Sequence, residues 1–172
     1  MNKNEKDNRN EKDNRFENQG KEFYTDRGYE QIQKYDLTPS MEDYLEMIIR
    51  LSDQQGYTRV NRIAESLNVK PASVSKMIQK LSQKSYLKYE KYGMVHLTAK
   101  GQQIGEYLLE RHHILEELLK TIGARGDLQR EVERIEHHIS YDNFMILSDF
   151  LDFLKDNPEI LRQFHQYKQN KK

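Results

Sequence analysis

Glu133, Glu136 and His137 stand at i, i+3 and i+4 within the run Glu131–His138. On a helix of 3.6 residues per turn, that spacing projects all three from one face. Two carboxylates and an imidazole converging on one face make half of a metal site. The same residue types also occur on solvated helix faces, so the run alone does not decide between the two. Matching ligands elsewhere would decide it. Asp43 and Glu46 form a second i, i+3 carboxylate pair, and Arg111-His112-His113 lies in the middle of a long helical stretch.

Composition narrows the chemistry. The chain has 172 residues and no cysteine, with 28 basic residues balanced by 28 acidic ones. That length suits one domain or two small ones. Without cysteine there is no disulfide, no thiolate zinc site and no cysteine nucleophile, so any metal must be held by oxygen and imidazole. No apolar run has the length of a membrane span or the form of a signal peptide. A cytoplasmic chain with no membrane partner is the expectation.

The elements that must position these residues follow in order. Asn4–Arg9 is repeated residue for residue as Asn10–Arg15, and residues 1–36 form a polar arm expected to be disordered. A first helix is predicted from the Thr38-Pro39-Ser40 start, with Thr38 or Ser40 as cap and Tyr44, Leu45, Ile48 and Ile49 as its apolar face. A short helix around Ile63, Ala64 and Leu67 ends at Asn68. A second, about residues 71–84, opens on Pro71 and buries Val74, Met77, Ile78 and Leu81. Its outer face carries Ser73, Ser75, Lys76, Gln79, Lys80 and Lys84. A hairpin follows, with strand-type residues either side of Lys91-Tyr92-Gly93. Short helix, turn, basic-faced helix and hairpin make a winged helix-turn-helix pattern.

Beyond it, Thr98 can cap a long helix over 99–122. The Leu128–Ile139 stretch is predicted as one helix, and a last helix runs over about 141–155. Residues 159–172 are expected to be a polar tail or a short helix. The apolar faces of this second half are too few for an independent core, so pairing with a second subunit is expected.

Charge is segregated along the chain. Residues 57–101 hold nine basic and two acidic side chains, whereas residues 102–160 hold six basic and thirteen acidic ones. A neutral chain divided this way has one face for nucleic acid and another for something else.

Taken together, Thr38–Glu46, the helix-turn-helix segment Arg59–Leu81, the hairpin Tyr86–Thr98, Arg111-His112 and Val132–Ser140 resemble, in order and spacing, the DtxR-type metalloregulators. Within that family they are most similar to the manganese transport regulators. The resemblance spans roughly residues 37–155. It implies a mainly α fold, with a winged helix-turn-helix DNA-binding domain over 37–100 and a helical metal-binding and dimerisation domain over 101–158. It implies a homodimeric repressor of manganese-uptake genes that binds double-stranded operator DNA when loaded with Mn(II), two ions per subunit. No small-molecule substrate is implied. Carried over by motif, the ligands would be Asp43, Glu46, His112, Glu133, Glu136 and His137.

Four carboxylates and two imidazoles suit a hard-to-borderline divalent ion in high coordination. Fe(II), Cd(II), Co(II) or Zn(II) are the alternative occupants, with an altered response. Affinity order alone favours copper and zinc, so selection of Mn(II) must come from geometry. His113 and His138 point about 100° away from their neighbours and are expected to pack around the site rather than ligate.

On DNA, Ser73, Ser75, Lys76 and Gln79 are expected near the major groove. Arg59, Lys80, Lys84, Lys88 and Lys91 are expected to meet phosphates. Two rivals remain. One is a winged-helix regulator indifferent to metal. The other is a di-metal carboxylate enzyme, suggested by Glu110-x-x-His113, although a second such motif is missing from the other helices.

Overall fold

The computed structural model describes residues 35–52 and 56–171. All but the last two residues of the N-terminal arm therefore lie outside the described residues.

Helix α1 (Pro39–Leu51) starts at Thr38, whose side chain makes no capping bond, and turns Met41, Tyr44, Leu45 and Ile48 inward. Strand β1 (Tyr57–Arg59) leads into α2 (Val60–Ser66). The turn to α3 (Pro71–Gln83) passes through Asn68, at φ 52. Asparagine tolerates that left-handed geometry better than most residues, which is why it ends α2. Strands β2 (Leu87–Tyr89) and β3 (Met94–Leu97) form the wing, joined by a 3₁₀ turn over Lys91–Gly93. The sheet is antiparallel in the order β1-β3-β2, with Tyr57 opposite His96 and Leu87 opposite Leu97. Strand β1 was not expected. Three residues are too few to show alternation, and only the pairing with β3 defines it.

Helix α4 (Ala99–Thr121) is capped by Thr98, whose Oγ1 accepts from the Gly101 amide at 3.0 Å. The same hydroxyl donates to the Ser85 carbonyl at 2.7 Å, tying the start of α4 to the base of the wing. Gly101 permits this approach, since a Cβ there would lie 1.9 Å from the Tyr86 carbonyl oxygen.

The main core joins Leu45 and Ile48 of α1, Ile63 of α2, Val74, Ile78 and Leu81 of α3, Val95 of β3, and Ile104, Tyr107 and Leu108 of α4. It extends to Phe144 of α6 (Tyr141–Asp156). The first half of α4 therefore shares the core of the winged helix, and apolar packing crosses the boundary expected at residue 100. A smaller cluster holds Leu118, Leu151 and Leu154.

One element of the second half differs from expectation. The helix predicted over 128–139 ends early: α5 is Leu128–Ile135, and Glu136–His138 form a 3₁₀ turn. The tighter turn changes which way Glu136 and His137 face. The 159–172 stretch, expected as a tail or short helix, is largely α7 (Pro158–Asn170). It folds back so that Lys168 Nζ donates to the carbonyls of Ile122 (2.8 Å) and Gly123 (3.1 Å). A cation there satisfies acceptors left open at the C-terminal end of α4.

Candidate metal centre and DNA-binding face

Three chain segments meet between the winged helix and the second half: α1, the middle of α4, and the 3₁₀ turn. Glu46, His112 and Glu136, one from each, are all buried, and their ligand atoms lie within 4.8 Å of one another. His112 Nδ1 is 3.1 Å from Glu136 Oε2 and 3.9 Å from Glu46 Oε1. At the rim, Arg50 donates to Glu46 Oε1 from Nη2 at 2.6 Å and from Nε at 2.9 Å. Burial, reinforced by repulsion from Glu136, raises the Glu46 carboxyl above its usual range against the pull of Arg50. The bond to Glu136 holds His112 above the ordinary imidazole value despite burial. Two buried carboxylates here face only an imidazole, which can release its proton, and one partly exposed guanidinium at the rim. A divalent cation with oxygen and nitrogen ligands fits that donor set.

Beside the triad, His137 bridges two carboxylates. Its Nε2 is 2.9 Å from Asp43 Oδ1, and its Nδ1 is 2.8 Å from Glu42 Oε2. Those bonds, to Asp43 first and Glu42 second, push its pKa up to about 10. Glu42 is itself buried and accepts from Arg111 Nη2 at 2.7 Å. Burial would raise this carboxyl, but the bonds from His137 and Arg111 hold it below the usual range.

Five of the six carried-over ligands thus lie in two adjoining groups. Glu133 does not join them. It is exposed on α5, with Gln129 Nε2 3.4 Å from its Oε1. The spacing argument for a shared face assumed a continuous helix, and the break after Ile135 separates Glu133 from Glu136. His113 and His138 are exposed.

On the winged helix, Ser73, Lys76, Gln79 and Lys80 line the exposed face of α3, with Arg59 and Lys88 exposed on the sheet. Ser75 Oγ donates back to the Pro71 carbonyl at 3.1 Å. Lys84, at the far end of α3, is paired with Asp36. Lys91 belongs to the wing turn by its backbone.

Residues 36–95 match the family described as "Iron dependent repressor, N-terminal DNA binding domain", and residues 98–165 match "Iron dependent repressor, metal binding and dimerisation domain". The HTH-type transcriptional regulator MntR of Oceanobacillus iheyensis is 49% identical over 121 residues, covering 70% of this chain and 82% of that protein. The chain belongs to the DtxR family of metal-dependent transcriptional repressors. MntR of Listeria monocytogenes is 45% identical over 135 residues, covering 78% of this chain and 95% of that protein. A solved structure of the manganese regulator SloR is 30% identical with a TM-score of 0.59, covering 68% of this chain and 55% of that one. As a DtxR-family member the chain is a regulator and not an enzyme, which removes the di-metal oxidase rival.

Three residues escaped the sequence reading of this DtxR-family chain. Glu42 and Arg111 were assigned no role of their own, and their only signal was that each adjoins a motif ligand. Tyr92, treated as turn filler, projects from the wing tip 88% exposed at φ 64.

Proposed function

We propose that this chain is a Mn(II)-responsive repressor that binds double-stranded operator DNA as a homodimer and controls manganese-uptake genes in the cytoplasm. The observation that carries the reading is the buried, sulfur-free Glu46–His112–Glu136 triad lying directly behind a winged helix. The names of the MntR and SloR relatives support manganese as the ion.

In this reading Glu46, His112 and Glu136 hold one ion, and Asp43 and His137 contribute to a second. Glu133 is the outlying candidate, since it must turn inward to reach either. When bound, the metal supplies positive charge to a cluster of carboxylates that otherwise repel one another. The ligands come from α1, from α4 and from the 3₁₀ turn, so ligation draws the winged helix and the second half together. Coupling of this kind is reciprocal: operator DNA tightens metal binding by the factor by which metal tightens DNA binding.

Ser73, Ser75, Lys76 and Gln79 present the major-groove face of α3, while Arg59, Lys80, Lys84, Lys88 and Lys91 serve phosphates. Ser75 and Lys84 must give up the internal partners described above to do so. Lys88→Ala weakens all DNA sequences alike and lowers the salt slope by about 0.9, measured as log affinity against log salt. A sequence-selective loss contradicts that assignment.

The dimer face is the apolar surface of α6 and α7, where Ile146, Phe150, Phe153, Phe164 and Tyr167 are all exposed. Apolar patches of this kind mark contact surfaces. Phe150→Asp yields a monomer in sedimentation.

The deciding experiment is retention of genomic DNA fragments by chelator-stripped protein, with and without Mn(II), beside Glu136→Ala. Manganese-dependent retention that the variant loses supports the reading, and the retained fragments name the targets. Equal retention with and without metal refutes it.

A further inference from the structure

The metal-site motifs leave one buried ionic group without a task. Arg111 is 1% exposed and Glu42 6% exposed, and neither is among the motif ligands. A buried ion pair is weak evidence for stability alone, since apolar replacements of the same volume often do as well. What this pair touches is more informative.

One atom, Glu42 Oε2, takes both Arg111 Nη2 at 2.7 Å and His137 Nδ1 at 2.8 Å. Arg111 is in turn fixed from two further sides. Its Nη1 donates to the Tyr35 hydroxyl at 3.2 Å, and its guanidinium lies 5.7 Å from the centre of the Tyr107 ring. The carboxylate that meets His137 is therefore held in place by groups outside the metal site. With Nδ1 donating to Glu42, Nε2 is the nitrogen left facing Asp43, 2.9 Å away. An imidazole ligand is oriented by the partner of its other nitrogen, and such outer carboxylates raise its basicity toward a cation.

We propose that Glu42, anchored by Arg111, is a positioning residue that fixes the ring of His137 so that Nε2 and Asp43 converge on one point. This inference rests on the metal-sensing reading above and assigns a duty within it. Glu42 does not ligate, because its inward oxygen is already shared between two donors. The sequence places each member of the pair next to a ligand, Glu42 before Asp43 and Arg111 before His112. The same short stretches of α1 and α4 thus carry both the ligands and the bracket that aims them.

The test uses the full-length, chelator-stripped protein in three forms: wild type, Glu42→Gln, and the paired Glu42→Gln/Arg111→Met. The single variant leaves Arg111 buried without an anion and is the one at risk of unfolding. The paired variant removes both charges and so removes that risk. Mn(II) affinity, the visible spectrum of the Co(II) form, and the metal-free melting temperature are measured. Expected in the paired variant is about 10- to 100-fold weaker Mn(II) binding and shifted Co(II) bands, with melting close to wild type. A purely structural pair would move the melting temperature and leave the Co(II) bands of the folded protein where they were. Wild-type Mn(II) affinity and an unchanged Co(II) spectrum in the paired variant overturn the inference alone. A wild-type protein that takes up neither ion overturns the functional reading and this inference with it.

Discussion

Glu42 and Glu46 are one helical turn apart on α1, equally buried, and each lies near an imidazole and a guanidinium. Their charges are met differently. Glu42 has a fully buried arginine against it and stays ionised below its usual range. Glu46 has only Arg50 at the rim and a second buried carboxylate, Glu136, as neighbour, and its carboxyl is raised. Depth is the same, so depth does not mark the binding site. The kind of counter-charge does: Glu42 meets a buried guanidinium, whereas Glu46 and Glu136 rely on a guanidinium at the rim and an imidazole whose proton a metal ion can displace.

The largest effect expected from that contrast is at Arg111. Arg111→Ala strands a buried carboxylate and costs about 3–5 kcal/mol, the typical loss when one partner of a buried pair is removed. Chemical denaturation of the metal-free protein measures it. A loss under about 1 kcal/mol would break the comparison, because Glu42 would then need no partner.

Glu136→Gln is the converse. In the metal-free protein it removes one of two repelling charges and also weakens the bond to His112, two opposed effects that leave stability within about 1 kcal/mol of wild type. The gain on adding metal disappears, however. At a hundredfold excess over the dissociation constant that gain is about 2.7 kcal/mol in the wild type. Thermal melting with and without Mn(II) reads both arms. A variant that keeps its metal-induced shift would move the cation site away from the triad.

The smallest and most graded effect is on pH. Both His112 and His137 hold protons above the ordinary value of 6.5, His137 up to about 10. Their bonds to carboxylates therefore stabilise the metal-free fold fully below about 6.5; the contribution of His137 is lost as pH rises through about 10, and that of His112 as pH rises through its own raised value. Metal ligation needs neutral rings and runs the opposite way, so Mn(II) affinity weakens progressively as pH falls below about 10, where His137 takes up its proton. Calorimetry in buffers of differing ionisation heat counts the protons released on binding. Release of none would mean that neither ring is a ligand.

Much of this was legible beforehand, because periodicity and punctuation carry it. Val74, Ile78 and Leu81 mark the inner face of α3, Asn68 and Pro71 bound its turn, and Thr98 caps α4 as expected. What was not legible depended on tertiary contact. Glu133 was placed with Glu136 by helical arithmetic, but the chain tightens after Ile135, and no residue type in that run announces the change. Arg111 and Glu42 are charged, and charge ordinarily means surface, so their burial is visible only once each has found the other. Strand β1 exists through its partner β3. α7 carries few apolar residues, and part of what docks it is Lys168 on the end of α4.

The contact at Gly101 has a mechanical consequence. With no room for a Cβ against the Tyr86 carbonyl, the base of the wing is riveted to the near end of a 23-residue helix. That helix is about 34 Å long at 1.5 Å per residue. In a dimer joined through α6 and α7, its far end acts as a fulcrum. A tilt of about 6° there sweeps the near end by about 3.5 Å, on the order of one base-pair step along the duplex. A few degrees of play at the hub would therefore put the two reading heads out of step with successive turns of DNA, so a ligand need only remove slack, not drive a large motion, to act as a switch.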